Sequence, residues 1–224
     1  MLIYHGSQYI IEKPEYGKGK QNNDYGRGFY CTPYIELAKE WGCSEAYDGY
    51  ANIYDLDING LNILELNNGQ YNILHWLALL LKYRTFRLTN PIAKDAREYI
   101  INRFALELSS YDIIVGYRAD DSYFSFAEDF LNNTISVCRL KKAMYLGKLG
   151  EQYVLKSRRA FSQLEFVGTE EALRKDYLVP KKLRDLSARK EYLQSNRSFR
   201  FNRDELYVID ILRQEVGADD ARLF

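Results

Sequence analysis

Residues 25–33 read Tyr-Gly-Arg-Gly-Phe-Tyr-Cys-Thr-Pro, a glycine-rich turn followed by strand-forming residues and a proline. Glycine adopts backbone conformations that other residues avoid, and it lets the chain approach a ligand closely. Phe29 to Thr32 is typical of a short strand, and Pro33 predicts the start of a helix that carries Trp41. The pattern therefore indicates a loop, a strand and a helix in immediate succession.

A second short motif stands near the start of the sequence. Leu2 to Tyr4 form an apolar run that leads directly into His5-Gly6-Ser7, which predicts a strand ending in polar residues. Taken alone, a histidine in such a place is more often structural than functional. Its interest comes from its combination with the glycine-rich turn of residues 25–28.

The remaining sequence alternates between strand and helix patterns. Strands are predicted as a hairpin over 51–66 that turns at Asn59-Gly60, and at 112–117, 151–156 and 163–167. Helices are predicted over 70–84, 92–108, 123–131 and 136–146, and Thr169 is expected to cap a further helix. This order predicts an α+β fold with one domain over 1–167 and a basic helical C-terminal extension over 168–224 packed on it.

The charge of the chain is balanced overall but not along its length. The sequence has 224 residues, with 31 basic and 31 acidic side chains. Residues 1–138 carry 12 basic and 18 acidic side chains, residues 139–203 carry 17 and 7, and residues 204–224 carry 2 and 6. The basic segment 139–203 indicates contact with phosphate or with an acidic protein, and an ordinary solvated surface explains it equally well.

Composition excludes several classes of site and protein. The chain has two histidines and three cysteines without paired spacing, so we expect no metal site and no disulfide framework. Its most apolar run, Ile73 to Leu81, is shorter than the roughly 20 residues that a membrane helix needs. The first residues do not read as a secretory signal. We therefore expect a cytoplasmic protein.

Together, the strand ending in His5-Gly6-Ser7 and the later run from Gly26 to Thr32 resemble the ADP-ribosyltransferases of the diphtheria-toxin and poly(ADP-ribose) polymerase type. The resemblance covers roughly residues 1–167. It implies a split antiparallel β-sheet core with flanking helices, and it implies NAD as the substrate. The opening Tyr4-His5-Gly6-Ser7 and the run from Asp24 to Tyr30 also look like a family of small bacterial proteins that is often associated with toxin–antitoxin gene pairs.

The resemblance assigns roles to three residues of these motifs. His5 would hold the adenosine-side ribose of NAD, the backbone of Gly6 would pair with the nicotinamide amide, and Tyr30 would stack on the nicotinamide ring. Trp41 stands where the polymerase branch has a second ring-stacking aromatic residue. The branch has a serine at the position of Ala38, which has no hydroxyl to offer.

Three further residues are candidates for contacts with NAD. Ser7 follows the glycine of the first motif and offers a polar contact. Gly28 belongs to the glycine loop. Arg27 lies between the two glycines, and it either meets the pyrophosphate or is an exposed loop charge. Arg118 to Ser122 follow a predicted buried strand, so they either line the site or form an ordinary turn.

The third element of the family is a late strand that begins with a glutamate. Its carboxylate bonds the 2′-hydroxyl of the nicotinamide ribose and offsets the developing positive charge. Here the matching run is Gln152-Tyr153-Val154-Leu155, so the triad is His5, Tyr30 and Gln152. Glu151 precedes it, but alternation along a strand sends that side chain to the opposite face. A neutral amide supplies less charge stabilisation than a carboxylate.

These expectations favour one main function and leave others open. The main one is an NAD-dependent mono-ADP-ribosyltransferase, a bacterial toxin of a toxin–antitoxin pair that modifies a protein or a nucleic acid. The glutamine disfavours polymer synthesis. NAD glycohydrolase activity needs the same pocket without an acceptor site. A non-catalytic NAD-binding or interaction module is also compatible, as is a C-terminal extension that binds an antitoxin protein.

Overall fold

A computed structural model of the chain describes residues 1–88, 90–119, 121–146, 150–197 and 204–224. Asp120, which belongs to the polar run after the predicted strand 112–117, lies outside the described residues. So do residues 147–149 and 198–203 of the basic segment.

The described part of the chain contains seven strands and eight helices. The strands are β1 (Leu2–Ser7), β2 (Phe29–Cys31), β3 (Gly49–Leu56), β4 (Ile63–Glu65), β5 (Ile113–Tyr117), β6 (Glu151–Leu155) and β7 (Leu164–Ala172). The helices are α1 (Ile35–Gly42), α2 (Ile73–Tyr83), α3 (Pro91–Phe104), α4 (Asp121–Leu131), α5 (Val137–Ala143), α6 (Arg158–Ser162), α7 (Arg174–Arg197) and α8 (Val208–Arg213). A 3₁₀ turn, Ala221–Leu223, follows α8.

The strands form two separate sheets, and the α+β prediction is confirmed. One sheet has the order β1-β3-β7 and the other β2-β6-β5-β4. All pairs are antiparallel except β4 with β5, which run parallel, so the four-stranded sheet departs from the expected antiparallel pairing at that one edge. The predicted hairpin at Asn59-Gly60 is also wrong. Because β1 and β7 occupy both edges of β3, β4 cannot pair with β3 and joins the other sheet.

The two sheets are linked where the N-terminal strand meets β2. The backbone of Tyr4 exchanges two hydrogen bonds with Thr32, at 2.8 and 2.9 Å. This single bridge brings the end of β1 beside β2. The His5 motif and the glycine-loop motif, which are separated in sequence, therefore become neighbours in the fold.

Two apolar layers hold the sheets in place. The first lies between the sheets and contains Ile3, Cys31 and Tyr54, all fully buried. Cys31 thus packs in the core, as its alternation with Tyr30 predicts. The second layer lies on the other face of the four-stranded sheet, where α2 packs with its Ile73–Leu81 segment buried on all sides. A helix that is apolar all round is expected at such a central position.

The C-terminal part differs from the prediction at its start. Thr169 does not cap a helix, because it lies within β7 and pairs with Asn52 of β3. Pairing with an available sheet edge overrides the local preference of threonine for a helix start. The expected domain boundary after residue 167 therefore falls inside a strand. The helix begins at Arg174 and packs on α1 and α4, where Arg184 pairs with Glu40.

Two further results concern broad function classes. None of the described helices combines the length and the hydropathy that a bilayer-spanning helix requires. Within the same described ranges, no three His, Cys, Asp or Glu side chains are grouped closely enough to hold a metal ion.

Candidate active site

A cavity of about 920 Å³ opens where β1 ends, beside β2, β6 and the glycine loop. We call it the His5 cavity. Its volume lies at the upper end of the roughly 300–1,000 Å³ range of small-molecule sites. The lining includes seven of the eight residues predicted for the site, namely His5, Gly6, Ser7, Gly28, Tyr30, Trp41 and Gln152.

His5 presents one defined hydrogen-bond acceptor to this cavity. Its Nδ1 lies 2.6 Å from the backbone carbonyl oxygen of Tyr30. Because a carbonyl can only accept, Nδ1 carries the proton and Nε2 is an acceptor. Nε2 makes no hydrogen bond to any residue in the described ranges. The ring stacks on Phe29 with centroids 4.3 Å apart, and burial lowers the histidine pKa, so the ring stays neutral.

Gly6 is held in place by the close approach of helix α1. A Cβ built on Gly6 would lie 2.0 Å from the carbonyl oxygen of Ala38 and 2.6 Å from the amide nitrogen of Gly42. The N–H and C=O of Gly6 point to the same edge of β1 as those of Tyr4, because alternate residues of a strand direct these groups to the same side. Tyr4 uses that edge to bond Thr32. Two residues further on, the edge of Gly6 faces the cavity.

Tyr30 and Lys156 together fix the glycine loop. The Tyr30 hydroxyl donates to the Gly26 carbonyl at 2.6 Å and accepts from the Tyr25 amide at 3.0 Å. Burial raises the pKa of the Tyr30 phenol well above its usual range. Lys156 Nζ donates to the carbonyls of Tyr25 and Arg27 at 2.7 and 2.6 Å, and burial lowers its pKa to about 8. Tyr30 thus remains uncharged, its ring forms part of the cavity wall, and its hydroxyl holds the glycine loop in place.

The amide of Gln152 is oriented by two acceptors. Its Nε2 donates to a carboxylate oxygen of Asp24 at 3.0 Å and to the carbonyl of Tyr117 at 3.1 Å. Both amide protons are therefore used, and the orientation of the amide follows from the chemistry of its partners. Within the described ranges Oε1 has no hydrogen-bond partner, and it is the atom that Gln152 offers to a ligand.

Asp24 is the main residue that sequence reasoning missed. It is buried, lines the cavity, and also accepts from the amide of Ala119 at 3.0 Å. Arg84 Nε lies 3.7 Å from its second carboxylate oxygen. Burial is the largest influence on its pKa, which is raised. Its sequence signal was its place at the start of the run from Asp24 to Tyr30, to which the resemblance assigned no role for the aspartate.

The cationic side chains in the cavity wall do not include the predicted Arg27. Arg27 is exposed and is absent from the cavity wall, which agrees with the alternative of a loop charge. Lys20, Arg84 and Arg118 line the wall instead. The guanidinium of Arg118 lies over the ring of Trp41, 3.9 Å from its centroid. Arg118 therefore belongs to the site, and it covers one face of the predicted stacking ring.

The remaining predicted contacts are also accounted for. The Ser7 hydroxyl lines the cavity and accepts from the amide of Tyr9 at 3.1 Å, which closes a turn. Gly28 sits against β6, because a Cβ there would lie 2.5 Å from Val154 Cγ1. Glu151 faces a different cavity of about 760 Å³, the Glu151 cavity, as strand alternation predicts. There its carboxylate accepts from Asn67 at 2.9 Å.

A sequence profile of the family described as "Protein of unknown function (DUF3990)" matches residues 1–166 of the chain. The chain belongs to the DUF3990 family. The match includes the motif residues His5, Tyr30 and Gln152 and ends inside β7, so helices α7 and α8 follow the DUF3990 region. Comparisons with curated proteins and with solved structures give no match. The chemistry of the His5 cavity is therefore the basis for a functional proposal.

Proposed function

We propose that this protein is an NAD-dependent mono-ADP-ribosyltransferase that acts on a protein or nucleic-acid acceptor. The observation that carries the proposal is the convergence of four complementary groups in the His5 cavity. They are the acceptor Nε2 of His5, the backbone edge of Gly6, the ring of Tyr30 and the acceptor Oε1 of Gln152. This set suits a ligand with ribose hydroxyls, a carboxamide and a planar ring.

Each group matches one part of NAD. His5 Nε2 accepts from a hydroxyl of the adenosine-side ribose, and Gly6 pairs its N–H and C=O with the carboxamide of nicotinamide. Tyr30 walls the nicotinamide ring. Gln152 Oε1 accepts from the 2′-hydroxyl of the nicotinamide ribose. Fixed placement of this kind lowers the entropic cost of reaching the transition state.

The charges of the cavity also suit NAD. Lys20, Arg84 and Arg118 supply positive charge along the wall for a pyrophosphate. Of the other charged lining residues, Lys18 is paired with Glu15 at 2.6 Å. Because Arg118 covers one face of Trp41, we assign the nicotinamide ring to Tyr30. Trp41 then anchors Arg118 at the rim.

In the proposed reaction, the bond between the nicotinamide nitrogen and ribose C1′ breaks, and nicotinamide leaves with the bonding pair. A nucleophilic atom of the acceptor then bonds C1′ and releases its proton. The protein holds the leaving group and the ribose in a fixed pose and stabilises the cation-like ribose. A single transfer fits this site better than polymer synthesis, since Gln152 itself is neutral.

The test uses purified protein, NAD labelled in its adenylate moiety, and bacterial lysate. We expect label on macromolecules, and protease or nuclease treatment then identifies the acceptor class. His5→Gln and Tyr30→Ala should abolish labelling. His75→Gln, at the core histidine, and Tyr47→Ala, at an exposed tyrosine outside the cavity, are the matched controls.

The alternatives give different results in the same assay. Free ADP-ribose without labelled macromolecules would identify an NAD glycohydrolase. If NAD is neither consumed nor transferred, and His5→Gln leaves its binding unchanged, the enzyme proposal is wrong. Binding without consumption would identify a non-catalytic NAD-binding module.

We further propose that the protein is a cytoplasmic toxin whose antitoxin docks on helix α7. Val179, Leu183, Leu186 and Leu193 lie three, four or seven residues apart on α7, and each is more than half exposed. We call them the α7 stripe. Exposed Lys190 lies within the stripe, and exposed Lys182, which pairs with Glu45 at 2.6 Å, lies beside it. An acidic amphipathic helix fits an apolar stripe that carries basic side chains. The unpaired Cys31 and Cys43 suit a reducing compartment.

Growth measurements test this docking proposal. We expect the wild-type chain to arrest growth and the product of an adjacent gene to restore it. Leu183→Glu together with Leu186→Glu should retain the arrest and lose the rescue. Val167→Glu, at an exposed valine of β7, is the control. Full rescue of the double variant, or a stripe buried in a dimer of this chain, would show that the antitoxin binds elsewhere.

A further inference from the structure

We propose that Asp24 is a positioning residue of the transfer reaction, which supplies through Gln152 the negative charge that the glutamine itself lacks. The inference rests on the proposed function. It concerns a residue that lies 128 positions before Gln152 in the sequence and to which the resemblance assigns no role.

The geometry of the contact carries the inference. One carboxylate oxygen of Asp24 accepts from Gln152 Nε2 at 3.0 Å and from the Ala119 amide at 3.0 Å. A hydrogen bond to an ionised acceptor is roughly twice as strong as a neutral one. It also polarises the amide, because successive hydrogen bonds in a weakly hydrated site reinforce one another. Oε1 of Gln152 therefore becomes a stronger acceptor for a ribose hydroxyl.

The burial of Asp24 argues against a purely structural role. Its exposed fraction is 7%, and burying a carboxylate is costly even when it is hydrogen-bonded. An asparagine could accept from Gln152 and Ala119 with the same geometry and without that cost. A carboxylate in the wall of this cavity has a further consequence, which is attraction for a cation-like ribose.

The surroundings of Asp24 define how it titrates. The charged or titratable groups that act on it are Arg84, Arg118, Tyr25 and Tyr30. Both arginines favour the carboxylate, whereas burial favours its protonated form and raises its pKa. Asp24 thus loses its charge at a higher pH than an exposed aspartate does. His5 lines the same cavity.

The first test is the isosteric variant Asp24→Asn, assayed for NAD consumption. We expect kcat to fall by about 100-fold, because one preorganised electrostatic contact is removed. KM for NAD should stay within about twofold of the wild-type value, since the bound ligand keeps its hydrogen bonds. Asp95→Asn, which changes an exposed aspartate of α3, is the matched control and should have no effect.

A second test moves the charge within the pair. In Gln152→Glu two carboxylates face each other, so one retains a proton and the acid limb of the kcat profile should shift to higher pH. Combining it with Asp24→Asn leaves one carboxylate and should recover kcat to within about tenfold of wild type. A structural role for Asp24 predicts no such recovery.

The outcomes separate the two proposals. If wild-type protein does not consume NAD, the proposed function fails. If it does, and Asp24→Asn keeps the wild-type kcat while His5→Gln abolishes activity, the role of Asp24 is wrong and the proposed function stands. An unshifted acid limb in Gln152→Glu would also overturn it, and that measurement does not require the Asp24 variant to fold.

Discussion

Gln152 and Glu151 are neighbours on β6, yet they face two different cavities. Gln152 is buried in the His5 cavity, and Asp24 and Tyr117 fix its amide. Glu151 is half-buried at the Glu151 cavity and accepts a single hydrogen bond from Asn67. The carboxylate of the strand thus points away from the motif residues. The His5 cavity receives its buried carboxylate from a remote part of the chain instead.

Replacing each of these two neighbours by alanine should give the largest difference in NAD consumption between a pair of variants. We expect Gln152→Ala to lower NAD consumption by about 100-fold or more, because it removes Oε1 and leaves Asp24 without its amide partner. Glu151→Ala should stay within about threefold of wild type. Initial rates with labelled NAD measure both. Equal losses in the two variants would mean that the Glu151 cavity also takes part in the reaction.

The next effect concerns the glycine at the rim of the His5 cavity. Gly6→Ala should destabilise the fold by about 3 kcal/mol or more, because its Cβ would meet the α1 backbone at 2.0 Å. Gly168→Ala, in β7, should change stability by less than about 0.5 kcal/mol, because no atom lies within 4 Å of its Cβ. Urea unfolding measures both variants. Similar midpoints would contradict the close packing of β1 on α1.

A smaller effect is expected from two tyrosine hydroxyls, one at each cavity. Tyr30→Phe removes two hydrogen bonds of the glycine loop and should cost about 1–2 kcal/mol of stability. Tyr117→Phe removes only an exposed contact to the Tyr145 hydroxyl and should cost about 0.5 kcal/mol or less. Thermal unfolding compares them. If Tyr30→Phe is as stable as wild type, the Tyr30 hydroxyl does not stabilise the glycine loop.

The smallest effect is a pH dependence that belongs to the His5 cavity. Burial lowers the His5 pKa below 6.5 in the folded protein. As the pH falls, the unfolded chain therefore takes up this proton at a higher pH than the folded protein does. The stability that His5 contributes above pH 6.5 is therefore lost as the pH falls. We expect the thermal midpoint to drop between pH 7.5 and about 5.5, and to drop less in His5→Gln. His75 acts in the same direction in both proteins. Parallel curves would contradict a His5 pKa that is lowered in the folded protein.

Much of the fold follows from local sequence signals. The Asn90 cap with proline at the next position begins α3 as predicted, and the buried strand at 113–117 and the apolar helix α2 appear near their expected bounds. These segments carry strong periodicity or capping chemistry. Their local preferences agree with the tertiary environment, and such agreement makes an element predictable.

The failures all depend on partners that are distant in sequence. Asn59-Gly60 is an ordinary hairpin signal, but the edges of β3 are already taken by β1 and β7. Thr169 is a good helix cap, but pairing with Asn52 on the edge of β3 opposite β1 places it in a strand. Arg27 lies in the glycine loop, but the loop turns its side chain to solvent. In each case an inter-strand contact or a loop geometry overrides a local preference.

The sequence by itself determined the elements and the motif residues, because glycine, proline and alternating apolar residues act on the backbone within a few positions. The resemblance of its motifs to a known family implied that His5, Tyr30 and Gln152 belong to one site. Only the tertiary structure decided the electrostatics of the site. Asp24, Arg84 and Arg118 reach the cavity from three separate segments, and a charge acts through space on whatever the fold places beside it.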